Sequence, residues 1–217
     1  MIEIEQYLDL FQKKLTETFG EEIFFFGIQG SYGRGEATEN SDIDVVVILE
    51  NLKAEQILTY KDMIDTLPFR EKLCGFVSGK QELLHWTASE LFQFYYDTTP
   101  ILGTLNCLLP LITTQEIKNA VKTAACTIYH TACHNLLHER STEILKALYK
   151  STIFLLQAKS FLKTGTYSKT KKELLLTLSP KDAEILSTTQ TKITEKNLET
   201  CSIFLLDWVS HIIVKEN

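Results

Sequence analysis

Apolar positions at the start of the chain follow a helical rhythm. Ile4, Leu8, Phe11 and Leu15 recur three to four residues apart, which predicts an amphipathic helix over residues 3–18 that ends near Gly20. The pattern then shifts to unbroken apolar runs. Residues 22–28 (EIFFFGI) and 43–49 (IDVVVIL) are short and rich in Phe or β-branched side chains, so both read as buried strands. Between them lies a glycine-rich turn from Gly30 to Gly35. Residues 53–67 read as a helix stopped by Pro68, and residues 72–78 (KLCGFVS) as a third strand.

Past about residue 80 the texture changes. Leu83-Leu84 with Trp86, then Leu91, Phe92, Phe94, Tyr95 and Tyr96, predict helical or mixed packing. From Gln115 onward helices dominate, with spans expected at 115–139, 141–163, 169–177, from Pro180, and 192–214. Ser179 before Pro180 is a capping signal, and Gly165 marks a helix end. A strand-bearing domain over residues 1–112 followed by a helical domain over 113–217 is the expected organisation.

Composition narrows the partners. The chain has 217 residues, long enough to bury a core without disulfide or metal staples. Its 28 Asp and Glu outnumber 22 Lys and Arg, giving a net charge of −6, which argues against nucleic acid as a nonspecific or sequence-specific partner. The first 25 residues begin with acids and lack a signal-peptide layout. The apolar stretch 101–112 is too short to span a bilayer and is broken by Gly103, Asn106 and Pro110, so no membrane partner is expected. Five cysteines, an odd count without a CxxC pair, read as reduced and mostly buried thiols of a cytoplasmic protein.

The candidate chemistry is concentrated in one stretch. Gly30-Ser31-Tyr32-Gly33-Arg34-Gly35 follows a predicted buried strand, where exposed backbone N–H groups can cradle phosphate oxygens. Glycine permits the close approach that such a cradle needs. Arg34 is a planar cation suited to phosphate, or to fixing the turn through a carboxylate. Five residues after Glu36 come Ser41-Asp42-Ile43-Asp44. Asp42 and Asp44 are two apart on the second predicted strand and so share a face. Two adjacent carboxylates repel unless a cation lies between them, and Mg²⁺ held by one or two carboxylates and a substrate's phosphates is the usual solution.

The whole string resembles the signature of the polymerase β-like nucleotidyltransferase superfamily, G-S-x-x-R-G followed by S-D-x-D. Gly30, Ser31, Arg34, Gly35, Ser41, Asp42 and Asp44 fill every signature position. The later stretches GFVSGKQELLHWTASELFQFYYDTTPILG and FLLQAKSFLKTGTYSKTKKELL resemble the branch containing aminoglycoside and lincosamide nucleotidyltransferases, whose helical domain is related to HEPN-type bundles. The resemblance implies an α+β fold, with a small mixed-sheet nucleotidyltransferase domain followed by an α-helical bundle. It implies an enzyme that moves a nucleoside monophosphate from an NTP to an acceptor hydroxyl, with Asp42 and Asp44 on Mg²⁺ and Gly30, Ser31, Arg34 and Ser41 on the nucleotide. It further implies a homodimer. An antitoxin-type enzyme that modifies a partner protein, and a nucleotide-binding regulatory module, remain as alternatives.

One position departs from the superfamily pattern. A third carboxylate is usual on the strand that here reads Lys72-Leu73-Cys74-Gly75-Phe76-Val77, and the nearest acids are Glu71 before it and Glu82 after it. Other candidates are weaker. His130, His134 and His138 form a stripe on a predicted helix, and His130 or His134 is the candidate general base, with His130 the one assigned to catalysis. Lysines around TGTYSKTKK form a local basic cluster, and Phe92, Phe94, Tyr95 and Tyr96 suit either a ligand pocket or core packing. Asp97 ends that aromatic segment, with no local pattern to fix where it faces.

Overall fold

The computed structural model describes residues 2–215. The chain divides into two compact units between Leu111 and Ile112.

The first unit opens with α1 (Ile4–Phe19), whose buried Tyr7, Phe11, Leu15 and Phe19 form one stripe. Gly20, with φ +54°, a backbone angle that favours glycine, ends it. Strand β1 (Ile23–Gln29) leads into the five-residue helix α2 (Gly30–Arg34), then come β2 (Ile43–Leu49), α3 (Ala54–Ile64) and β3 (Leu73–Gly79). Short α4 (Lys80–Leu84), α5 (Ala88–Asp97) and β4 (Thr99–Leu102) complete the unit. The sheet order is β3-β2-β1-β4, with β2 and β3 parallel and the other two pairs antiparallel. It is the mixed sheet expected.

Strand β4 has no counterpart in the sequence reading. Its four residues, TPIL, are too few to show a period, and Pro100 is tolerated because β4 lies at the sheet edge.

Alternation along the strands sorts the two faces. Phe26, Ile28, Ile43, Val45, Val47 and Leu49 form one core with α1 and with Tyr60, Met63 and Ile64 of α3. The Phe11 and Phe26 rings stack within it, 5.1 Å apart. Burying so many large apolar side chains, each worth roughly 1.5–3 kcal/mol, fixes the strand register. The opposite face therefore carries Gln29, Asp44 and Cys74, and α5 lies against that face through Phe94 on Phe76.

The second unit is helical. It comprises α6 (Thr114–His134), continued by a wider π-type turn over Asn135–Glu139, then α7 (Thr142–Thr164), α8 (Lys171–Leu175), α9 (Pro180–Thr188) and α10 (Leu198–Lys215). Ser179 caps α9 by accepting from the Asp182 N–H, with Pro180 at its first turn. Gly165, at φ +71°, closes α7. The last helix starts at Leu198 rather than 192, because Asn197 accepts from the Thr194 N–H and holds a turn there. None of the described helices is long and apolar enough to cross a membrane.

The cysteines correct one expectation. All five are free, but Cys74 and Cys126 are exposed and Cys107, Cys133 and Cys201 are half-buried, so none is a core residue. Cys126 and Cys133 each follow a buried alanine on α6, Ala125 and Ala132, and so turn off its packed stripe.

Candidate active site

The glycine-rich turn is a short helix directly after β1. Gly30 adopts φ +67°, and a Cβ built there would lie 2.0 Å from Oδ2 of Asp44. Glycine is therefore required both by the backbone and by the carboxylate beside it. Gly35 caps the helix at φ +71°, in open space.

Asp44 is the second residue of β2, half-buried, and pairs across the sheet with Gln29. Asp42 precedes the strand and is exposed, so it is not within β2 as the spacing predicted. Ser41 accepts from the Thr38 N–H at 2.9 Å and closes the loop between α2 and β2. Lys72 donates to the Glu39 carbonyl and pins the same loop.

Asp97 is the acid that the sequence left unplaced. It is 5% exposed, at the C-terminal end of α5. Nη1 of Arg34 reaches both of its oxygens, at 3.0 and 2.9 Å, and the Gly30 N–H donates to Oδ2 at 3.3 Å. Arg34 also meets Glu36 through Nε at 3.4 Å. Around this pair, Gln29 donates to the Thr98 hydroxyl at 2.6 Å and to the Phe94 carbonyl at 3.2 Å. Thr99 donates to the Gly33 carbonyl at 3.3 Å. The whole glycine turn is thus tied to residues 94–99.

The strand beside Asp44 supplies no carboxylate. Asp44 pairs with Cys74, an exposed thiol on the same face. Glu71 acts elsewhere: its charge bears on Tyr7 of α1, whose hydroxyl is pushed up to about 12, chiefly by burial. Glu82 follows Gly79 at the far end of β3, about 16 Å along the strand from Cys74. Among the described residues no set of three or more His, Cys, Asp or Glu side chains is gathered as for a metal ion.

An aromatic wall borders this face. Phe76 meets Trp86 edge-on at 5.4 Å and Phe94 at 4.9 Å, and Trp86 is 42% exposed. Tyr95 and Tyr96, with Phe25, Thr98 and Asn106, line a cavity of about 220 Å³. Burial, then the neighbouring Tyr95, pushes the Tyr96 hydroxyl above its ordinary range.

His130 belongs to the second unit. It is exposed on α6, as are His134 and, on the π turn, His138, whose rings lie 4.9 Å apart.

A match of residues 4–95 to the nucleotidyltransferase domain family accords with this arrangement. Over 62 residues the chain is 37% identical to MJ1305 of Methanocaldococcus jannaschii, which its name assigns provisionally to the protein adenylyltransferases. Over 50 residues it is 46% identical to the protein adenylyltransferase MntA of Thermococcus cleftensis. These stretches cover 29% and 23% of this chain and 42% and 48% of the relatives, so the chain matches less than half the length of each. The fold is similar over both units to the spectinomycin adenyltransferase AAD(9) of Enterococcus faecialis, solved with ATP and spectinomycin. That likeness has a TM-score of 0.58 and 13% identity and covers 95% of this chain and 99% of that one. In the first unit, Asp44 lies on the sheet face away from α1, with Gly30 beside it.

Proposed function

We propose that the protein transfers a nucleoside monophosphate, with ATP as donor, to the hydroxyl of a small acceptor of the antibiotic or metabolite class. The observation that carries this reading is the seating of the Asp44 carboxylate directly against the side-chain-free backbone of Gly30, which puts an acid beside the glycine turn.

Asp42 and Asp44 fit a hard divalent cation. Both offer only oxygen, Asp42 is open to solvent and Asp44 is half-buried. Mg²⁺ commonly takes one or two protein carboxylates and fills its remaining positions with phosphate and water, which the small donor set here permits. Bound there, Mg²⁺ would neutralise charge on the donor's phosphates. Gly30, Ser31, Arg34 and Ser41 belong to the turn and loop that would hold the triphosphate. The acceptor oxygen attacks the α-phosphorus in line, a new O–P bond forms, the bond to the β-phosphate oxygen breaks, and pyrophosphate leaves with the electron pair. His130 is the proposed base for the acceptor's proton. Most of the acceleration then comes from alignment and charge placement.

A protein hydroxyl is the second acceptor class, favoured by the sequence relatives named as protein adenylyltransferases. The small acceptor is preferred because the fold likeness to a spectinomycin adenyltransferase extends over the helical unit as well. The test is pyrophosphate release with ATP and Mg²⁺ across aminoglycosides, spectinomycin and lincosamides, with Asp42→Ala/Asp44→Ala as blank. Release that depends on one of these compounds and vanishes in the blank supports the reading. ATP binding without release under every acceptor would replace it with a protein acceptor or a regulatory nucleotide sensor.

A further inference from the structure

We infer that Asp97 is a positioning residue for nucleotide transfer, acting through Arg34 and the Gly30 amide. The inference rests on the proposed transferase reading.

Three features set Asp97 apart from an ordinary surface ion pair. It is 5% exposed, and the Arg34 side chain facing it is 17% exposed, so water screens the pair weakly. Arg34 spans both carboxylate oxygens from one nitrogen, and the same carboxylate takes the Gly30 N–H. One buried anion therefore grips both ends of α2, its first residue and its last. Gly30 is also the residue whose missing side chain leaves room for Asp44. A shift of Asp97 is thereby passed to the backbone that borders the Asp44 carboxylate.

The same geometry defines what Arg34 does. Its guanidinium is engaged by Asp97 on one side and Glu36 on the other, so its charge is largely matched within the protein. Arg34 contributes by holding the turn's shape, and Asp97 supplies the anchor. The hydrogen bonds from Gln29 to Thr98 and from Thr99 to Gly33 align the anchor's segment with β1.

The experiment combines backbone amide exchange with steady-state kinetics on Asp97→Ala, Asp97→Asn, Arg34→Ala and the Arg34→Ala/Asp97→Ala double variant. In Asp97→Ala, amides 30–36 should exchange at least tenfold faster than in the parent. Its kcat should fall at least tenfold while the KM for ATP stays within threefold, because alignment is lost and the aspartates remain. Asp97→Asn keeps an oxygen for the Gly30 N–H and the side-chain volume, and should recover part of both effects. The double variant should be no worse than the worse single variant, since both break one unit. Unchanged exchange at 30–36 in Asp97→Ala would overturn the inference, and so would kcat losses that multiply in the double variant. An inactive parent would sink the transferase reading alone, because amide exchange reads the latch without turnover.

Discussion

Gly30 and Asp44 share a space that admits only one side chain, since a Cβ on Gly30 would stand 2.0 Å from the Asp44 carboxylate oxygen. Gly30→Ala would also force alanine into φ +67°, at a cost of about 1–2 kcal/mol from the backbone alone. Gly35 offers a control: it has a similar φ, +71°, with nothing within 4 Å of its Cβ position. Gly35→Ala should lower Tm by the backbone cost, about 2–4 °C per kcal/mol at this length. It should retain most nucleotide transfer. Gly30→Ala should lose more stability and nearly all activity, because the carboxylate must move. Thermal melts and pyrophosphate release on both variants decide it; equal activities would show that the close approach is immaterial.

Cys74 stands where a further carboxylate would face Asp44 across parallel strands. Cys74→Asp places like charges side by side, which without a cation is destabilising. The variant should melt below the parent in a chelator. Mg²⁺ should raise its Tm more than the parent's, because binding to the folded state alone stabilises it by mass action. Melting curves with and without Mg²⁺ test this, and a Mg²⁺ response no larger than the parent's would place the ion away from Asp44.

Much of the first unit was legible because its strands are dense apolar runs between turn residues. Residues 43–49 form β2 as expected, while Gly20 and Gly165 end helices at positive φ. The motif named Gly30, Arg34 and Asp44; in the fold Gly30 adjoins Asp44, and Arg34 and Gly30 meet the same Asp97. Asp97 was not legible as a partner, since it lies 63 residues from Arg34 and meets it only through tertiary packing. A buried acid at the end of a predicted aromatic helix carries no local pattern that declares its partner. The edge strand β4 was missed for a related reason: four residues with a proline acquire strand character only by pairing with β1. The cysteine expectation failed because thiols are assigned to cores by average tendency, whereas helical phase places Cys126 and Cys133 off the packed stripe.

Asp182 in the helical unit ties acid stability to one cluster. Burial raises its carboxyl, but the Trp208 indole N–H at 2.8 Å, Lys159 at 3.1 Å and the Ser179 hydroxyl together hold it below the ordinary carboxylate range. A carboxyl lowered on folding contributes stability that is full above its unfolded value, about 3.9, and is lost as pH falls through the folded value. Asp182→Asn should cost about 1–3 kcal/mol at neutral pH, because Lys159 loses its counter-charge while the indole keeps an acceptor. The gap between parent and variant should narrow as pH falls below about 4. Denaturant unfolding at pH 7 and pH 3 measures both, and a gap unchanged by pH would remove the charge from the explanation.

The acceptor hydroxyl must give up its proton, and His130 separates catalysis from stability cleanly. It is exposed on α6, between the buried Ile128 and Ala132, so truncating it removes no core contact. His130→Ala should change stability by less than about 0.5 kcal/mol, as for other open surface positions. If His130 takes the proton, kcat should fall about 10²- to 10⁴-fold while ATP affinity holds, the usual range for a general base. His134→Ala, one turn along the same helix and equally exposed, should leave kcat within twofold. Parallel losses in the two variants would indicate a disturbed helix rather than a lost base. An unchanged kcat in His130→Ala would assign the proton to another group, with the acceptor's own chemistry or solvent as the remaining routes.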